Sequence, residues 1–123
     1  MPGSDKTVLV VEDEADIRLL LRTVLEAEGY RVAEASTGKD AADAAREASP
    51  DLILMDISLP LLDGLSATRG LKAEESLREV PIVAVSAYHT ARRRAIQAGC
   101  ADFIGKPVDL EELKATVRRL VGT

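Results

Sequence analysis

Leu52 to Pro60 reads LILMDISLP, and the rest of the chain is read outward from it. Leu52, Ile53, Leu54 and Met55 run without a polar break into a carboxylate, Asp56. A short, continuous apolar run predicts a strand buried on both faces, as in a parallel sheet. A charged side chain is rarely buried without a partner, because desolvating it is costly. Asp56 at the exit of such a strand is therefore the first candidate for function, and something nearby must hold its charge.

The same grammar repeats on both sides. TVLVV (Thr7 to Val11) and RVAEA (Arg31 to Ala35) predict two strands before this one. PIVAVSA, opened by Pro81 where a missing N–H is tolerated, and ADFIG predict two after it. Between them lie helical spacings. Ile17, Leu20, Leu21, Val24 and Leu25 form one face, stopped near Gly29. An Ala-rich segment runs from Gly38 to before Pro50, Leu65, Thr68 and Leu71 share a face, and ARRRAIQAG closes at Gly99. Leu110, Leu113, Val117 and Leu120 follow Asp109, a good N-cap. Five strands alternating with five helices predict βαβ units, right-handed crossovers and a parallel sheet with helices on both faces. Residues 1–123 are expected to form a single domain with a core of about 7–121.

Composition narrows the class. The chain has 123 residues, 46% hydrophobic and 30% charged, which suits a soluble globular domain. Aromatics are only 2% with no Trp, so the core must be aliphatic. Residues 1–60 carry a net charge of −7 and residues 61–123 a net of +2. An acidic N-terminal half favours a cation over nucleic acid, so no direct nucleic-acid partner is expected. No apolar run approaches the roughly 20 residues needed to span a bilayer, so no membrane insertion is expected. The start MPGSDK shows no signal peptide, and the lone Cys100 fits a reducing compartment; the expected location is the cytoplasm.

Ligands of open parallel sheets bind outside the carboxyl ends of the strands. Those ends carry Glu12 and Asp13, then Asp56, then Ser86 and Ala87, then Gly105, Lys106 and Pro107. Strand two offers no comparable group; Ser36 and Thr37 read as a loop. Three clustered carboxylates repel one another and call for a hard divalent cation, and oxygen-only ligands favour Mg²⁺ over zinc. Lys106 adds a point charge and Ser86 a hydroxyl, both suited to phosphoryl oxygens. A carboxylate beside a metal and a lysine is a nucleophile for phosphorus, as in aspartyl-phosphate chemistry.

VLVVEDE, LILMDISLPLLDG, IVAVSA and DFIGKP, in this order and spacing over Thr7 to Leu120, resemble the receiver domain of bacterial two-component response regulators, of the single-domain, chemotaxis-regulator-like type. The resemblance implies a flavodoxin-like (βα)5 doubly wound α/β sandwich, its parallel five-stranded sheet ordered 2-1-3-4-5. It implies that Asp56 is the phosphoacceptor, charged by a sensor histidine kinase or histidine phosphotransfer protein in a Mg²⁺-dependent reaction. Asp13 and Asp56 would ligate the metal, with the Ser58 backbone carbonyl, and Glu12 would act through water. Ser86 and Lys106 would grip the phosphoryl oxygens, helped by the backbone of Ile57, Ser58 and Ala87. Lys106–Pro107 would be a cis peptide. Phe103 would be the switch aromatic, turning inward as the Ser86 hydroxyl moves, and so biasing a partner surface of helix four, strand five and helix five. Ser86 stands where Thr is commoner, Phe103 lacks a hydroxyl, and Ser58 and Tyr88 hold positions that tune phosphoryl lifetime. Such a module would act as a signalling switch and not as an enzyme, beyond self-catalysed phosphorylation and dephosphorylation. Met1 and an ending directly after the last helix favour a free-standing regulator.

Plainer readings stand beside these. Glu12 and Asp13 alone would read as a solvated turn, and Lys106 alone as a surface lysine. Pro60 and Gly64 read as turn and backbone residues, and Phe103 without the family as a core or edge aromatic. Arg92 to Arg94 span about 200° of helical arc and form no single stripe. Cys100 reads as a small buried hydrophobe, and His89 has no assignment. Two alternative functions are weaker. A haloacid-dehalogenase-type phosphatase wants a second Asp two residues after the nucleophile, where Ser58 stands. A flavodoxin-type flavin carrier wants Gly, Ser and Thr in the first turn, where EDEADIR stands.

Overall fold

The computed structural model describes residues 5–57 and 63–122. Five strands alternate with five helices: β1 (Thr7–Val11), α1 (Ala15–Ala27), β2 (Arg31–Ala35), α2 (Gly38–Ala48), β3 (Leu52–Asp56), α3 (Asp63–Ala73), β4 (Ile82–Ser86), α4 (Arg92–Ala98), β5 (Asp102–Gly105) and α5 (Leu110–Val121). A short 3-10 turn, His89–Ala91, leads into α4. All strand pairings are parallel, and the sheet order is β2-β1-β3-β4-β5. The expected α/β topology, doubly wound and flavodoxin-like, is therefore what the chain adopts.

The continuous apolar strands explain why both faces are covered. Side chains alternate across a strand, so Val8, Val10, Leu52, Leu54, Val83 and Ile104 meet Leu21 and Leu25 of α1 and Leu113 and Val117 of α5. Leu9, Val11, Ile53, Met55, Ile82 and Ala84 meet Ala41 and Ala45 of α2, Leu65 and Leu71 of α3, and Ala95 of α4. Alanines on α2 and α4 let those helices lie close to the sheet.

Local chemistry sets the helix ends. The Thr37 hydroxyl accepts the Asp40 N–H at 3.1 Å, and Asp109 accepts the N–H groups of Glu111 and Glu112 at 2.9 and 3.1 Å. Each cap satisfies donors that the first turn leaves open. Gly99, at φ 114°, closes α4 in a conformation that side chains with a Cβ avoid.

One expectation changes. Leu20, grouped with the buried face of α1, is 47% exposed, and its neighbour Leu19 is 62% exposed. The stripe that meets the sheet centres on Ile17, Leu21, Val24 and Leu25, and Leu20 falls on its flank at 100° per residue.

Candidate functional site

The winding direction reverses between β1 and β3, and the rim residues sit at the carboxyl ends of the strands on either side. Val11 is in register with Met55, Asp56 with Val85, and Ser86 with Gly105. Across four adjacent strands, this register sets Glu12 and Asp56 at one level, with Ser86 one residue and Lys106 two residues further out along the rim. Two further backbone bonds extend the ladder past the strand ends: the Ile57 N–H donates to the Val85 carbonyl, and the Lys106 N–H to the Ser86 carbonyl, both at 2.9 Å. The Ile57 donor is therefore engaged in the sheet and not open to a ligand. Ser58 lies outside the described residues.

Glu12, Asp13 and Asp56 each offer a carboxylate oxygen within 4.8 Å of the others, the one such cluster found among the described residues. Glu12 and Asp56 are buried, whereas Asp13 is exposed. Lys106 Nζ reaches Asp56 Oδ2 at 3.1 Å and Glu12 Oε1 at 3.4 Å. This ammonium is one answer to what holds the charge of Asp56. Burial alone would lower the Lys106 pKa, but the charges and hydrogen bonds of Asp56 and Glu12 outweigh it and raise the value.

One cation facing three carboxylates leaves the cluster short of positive charge, and Glu12 shows the shortfall. Its pKa is raised to about 7, first by burial and then by the charge of Asp56, against the opposing Glu14 N–H bond and Lys106. Hard, all-oxygen donors short of positive charge, two of the three buried, are the chemistry that suits Mg²⁺. The residues present therefore fit such an ion.

The sign of this shift gives a testable pH dependence. A carboxyl raised from 4.5 to about 7 binds more protons in the folded state than in the unfolded one across that window. The metal-free protein should therefore gain stability, on the order of 3 kcal/mol, as pH falls from about 7.5 to 5, and lose it as pH rises through 7. Thermal unfolding in a chelator at several pH values measures this, and Glu12→Gln should flatten the profile. Glu34 does not interfere in that window. Burial would raise its pKa, but hydrogen bonds from Arg22 and Arg18 prevail and hold it below the usual value, so its contribution is lost only at more acid pH.

On the β4 side, the buried Ser86 hydroxyl accepts the Tyr88 N–H at 3.0 Å. Phe103 is buried, with the Arg92 guanidinium 5.5 Å from its ring centre. The three arginines Arg92 to Arg94 are exposed, as their spacing suggested, but Arg92 has this added cation–π contact. His89 lies over Gly105, where a Cβ would stand 2.8 Å from its ring. A cavity of about 450 Å³ opens among His89, Arg92, Phe103, Gly105, Pro107 and Glu112, beside Lys106. The Lys106–Pro107 peptide is cis. Cys100 is buried, as expected, with its thiol pKa raised by that burial.

Sequence reasoning missed Arg18 and Glu34. Arg18 bonds the Glu12 carbonyl at 2.7 Å and Glu34 at 2.9 Å. Glu34 lies on β2, outside the strand ends, and no local motif marks either residue.

Comparison with known proteins places this geometry. The family model described as the response regulator receiver domain matches residues 8–118. The polar-differentiation response regulator DivK of Brucella ovis is 40% identical over 119 residues, covering 95% of this chain and 97% of that protein. The receiver domain of the sensor histidine kinase PA1611 from Pseudomonas aeruginosa, solved with a magnesium ion coordinated in its active site cleft, superposes with a TM-score of 0.85. It is 38% identical and covers 96% of this chain and 98% of that one. The chemotaxis protein CheY4 of Vibrio cholerae gives a TM-score of 0.86 at 25% identity, covering 94% and 98%.

Proposed function

This chain belongs to the response regulator receiver domain family, and from that premise we propose that it is a phosphorylation-dependent switch whose phosphoacceptor is Asp56. The observation that carries the reading is the Lys106 ammonium bridging Asp56 and Glu12 in a cluster of three carboxylates at the β1/β3 crevice.

In this reading a histidine kinase or phosphotransfer protein presents a phosphohistidine over the rim. An Asp56 carboxylate oxygen attacks phosphorus, the P–O bond forms, and the P–N bond breaks with its electron pair going to the imidazole. Asp13 and Asp56, with the Ser58 carbonyl and with Glu12 through water, would hold Mg²⁺, which would neutralise charge on the phosphoryl oxygens. Lys106 moves from bridging two carboxylates to holding a phosphoryl oxygen. Ser86 gives up the Tyr88 N–H and donates its hydroxyl, while the backbone of Ser58 and Ala87 adds donors. The displaced Ser86 and Tyr88 segment then bears on Phe103, and the face of α4, β5 and α5 meets a downstream protein. Residues 1–123 act as one such domain, in the cytoplasm. Among the described residues no helix is long and apolar enough to cross a membrane.

Beryllofluoride with Mg²⁺ mimics a phosphoryl group on a carboxylate. Adding it should shift the amide NMR signals of Asp56, Ala87 and Phe103 together, and those of α1 much less. A spectrum that Mg²⁺ moves but beryllofluoride does not would refute the phosphoacceptor role. Shifts confined to the rim that leave Phe103 still would refute the relay while sparing the acceptor.

A further inference from the structure

β2 contributes no side chain to the rim, yet two of its consecutive residues hold the rim in place. The Glu12 N–H donates to the Ala35 carbonyl at 3.0 Å, continuing the ladder one residue beyond β1. The Glu12 carbonyl, on the other side of the same residue, accepts Arg18 Nη1 at 2.7 Å. Arg18 is in turn fixed by its Nε, which donates to Glu34 Oε1 at 2.9 Å, and the second oxygen of Glu34 is held by Arg22. The Arg18 side chain is 20% exposed and that of Glu34 29%.

We propose that Arg18 is a positioning residue for the metal-binding turn, clamping the peptide between Glu12 and Asp13 to Glu34 on the edge strand. The inference rests on the receiver reading of the rim. A peptide unit is planar, so fixing the Glu12 carbonyl also fixes the Asp13 N–H and the position of the Asp13 Cα that carries the metal-binding side chain. The Glu12 carboxylate is held separately, accepting the Glu14 N–H at 3.1 Å, so without Arg18 the turn would lose its carbonyl anchor alone. The guanidinium suits this task because its planar fork reaches a carbonyl and a carboxylate at once, which one ammonium does not reproduce.

Simple charge and positioning predict opposite signs, which makes the idea testable. Deleting a cation near an acidic cluster should tighten Mg²⁺ binding by Coulomb attraction alone. Deleting a clamp should loosen it, by about 10-fold on the scale of partners that orient metal ligands. Calorimetric titration of the full chain with Mg²⁺ should show Arg18→Ala about 10-fold weaker than wild type, with Arg18→Lys in between. Glu34→Gln, which weakens the anchor, should also loosen binding. Arg22→Ala removes the same charge but leaves the clamp, and should bind Mg²⁺ as tightly as wild type or more tightly. In metal-free protein, amide exchange at Asp13 and Glu14 should quicken in Arg18→Ala while the core amides stay protected.

Arg18→Ala that folds and binds Mg²⁺ as well as wild type overturns the proposal. If Arg18→Ala does not fold, Glu34→Gln with wild-type affinity overturns it instead. A wild-type protein that binds no Mg²⁺ would overturn the receiver reading itself, a separate outcome visible before any variant is made.

Discussion

Asp56→Asn is expected to leave the protein folded and to remove its phosphorylation. The substitution keeps the shape of the side chain and takes away the nucleophilic oxygen charge, so the transfer step should fall by at least about 10³-fold, the order seen when the nucleophile of a covalent mechanism is removed. Intact mass after incubation with a phosphoramidate donor, whose P–N bond resembles that of phosphohistidine, reads the effect directly. Stability should move the other way. Asp56 is one of the charges that raise the Glu12 pKa, and without it Lys106 can pair with Glu12 alone. The metal-free variant should therefore match or exceed wild type in thermal unfolding. Undiminished phosphorylation of Asp56→Asn would overturn the assignment of the acceptor.

Gly64→Ala should have the second largest effect, through backbone geometry. A Cβ at position 64 would stand 2.6 Å from the Asp56 carbonyl oxygen, 2.6 Å from Ile57 Cγ2 and 2.7 Å from Ile57 Cα. Two of those atoms are backbone, so no rotamer change relieves the contact. Either α3 moves off the sheet or the end of β3 moves, carrying Asp56 with it. Overpacking of this kind costs about 1–3 kcal/mol, and a shift of about 1 Å at a reacting group can cost 10²-fold in rate. Denaturant unfolding and the phosphoramidate assay separate the two losses. A variant with wild-type stability and rate would show that the close approach of α3 to β3 is not needed.

The fold was legible because its strands are short, continuous and apolar, and because the signals that end each helix are explicit. Asp109 capped α5 as its position suggested, and Gly99 closed α4. The site was legible because each rim residue ends a strand or follows one within two residues, so topology brought Glu12, Asp13, Asp56, Ser86 and Lys106 to one rim. Leu20 was misassigned because helical spacing specifies a direction but not the width of the stripe a sheet can cover. Arg18 and Glu34 were invisible because their bond joins an ordinary helix position to an ordinary edge-strand position. An arginine on an amphipathic helix looks the same whether it faces water or a carbonyl. Ile57 gave a different lesson: the family resemblance implied a backbone contact to the phosphoryl group there, but the Ile57 N–H is engaged in the sheet.

The Lys106 bridge spans 94 residues to Glu12 and 50 to Asp56. Every strand end on the rim must be in place before the ammonium can meet both carboxylates. On the ribosome, a nascent chain that stops short of Lys106 has Asp56 but not the ammonium that pairs with it. Signalling competence would thus arrive with the last strand, and an unfinished or misregistered copy could not be charged by a kinase. In the proposed reading, the placement of one lysine late in the sequence makes a complete sheet a condition for phosphorylation.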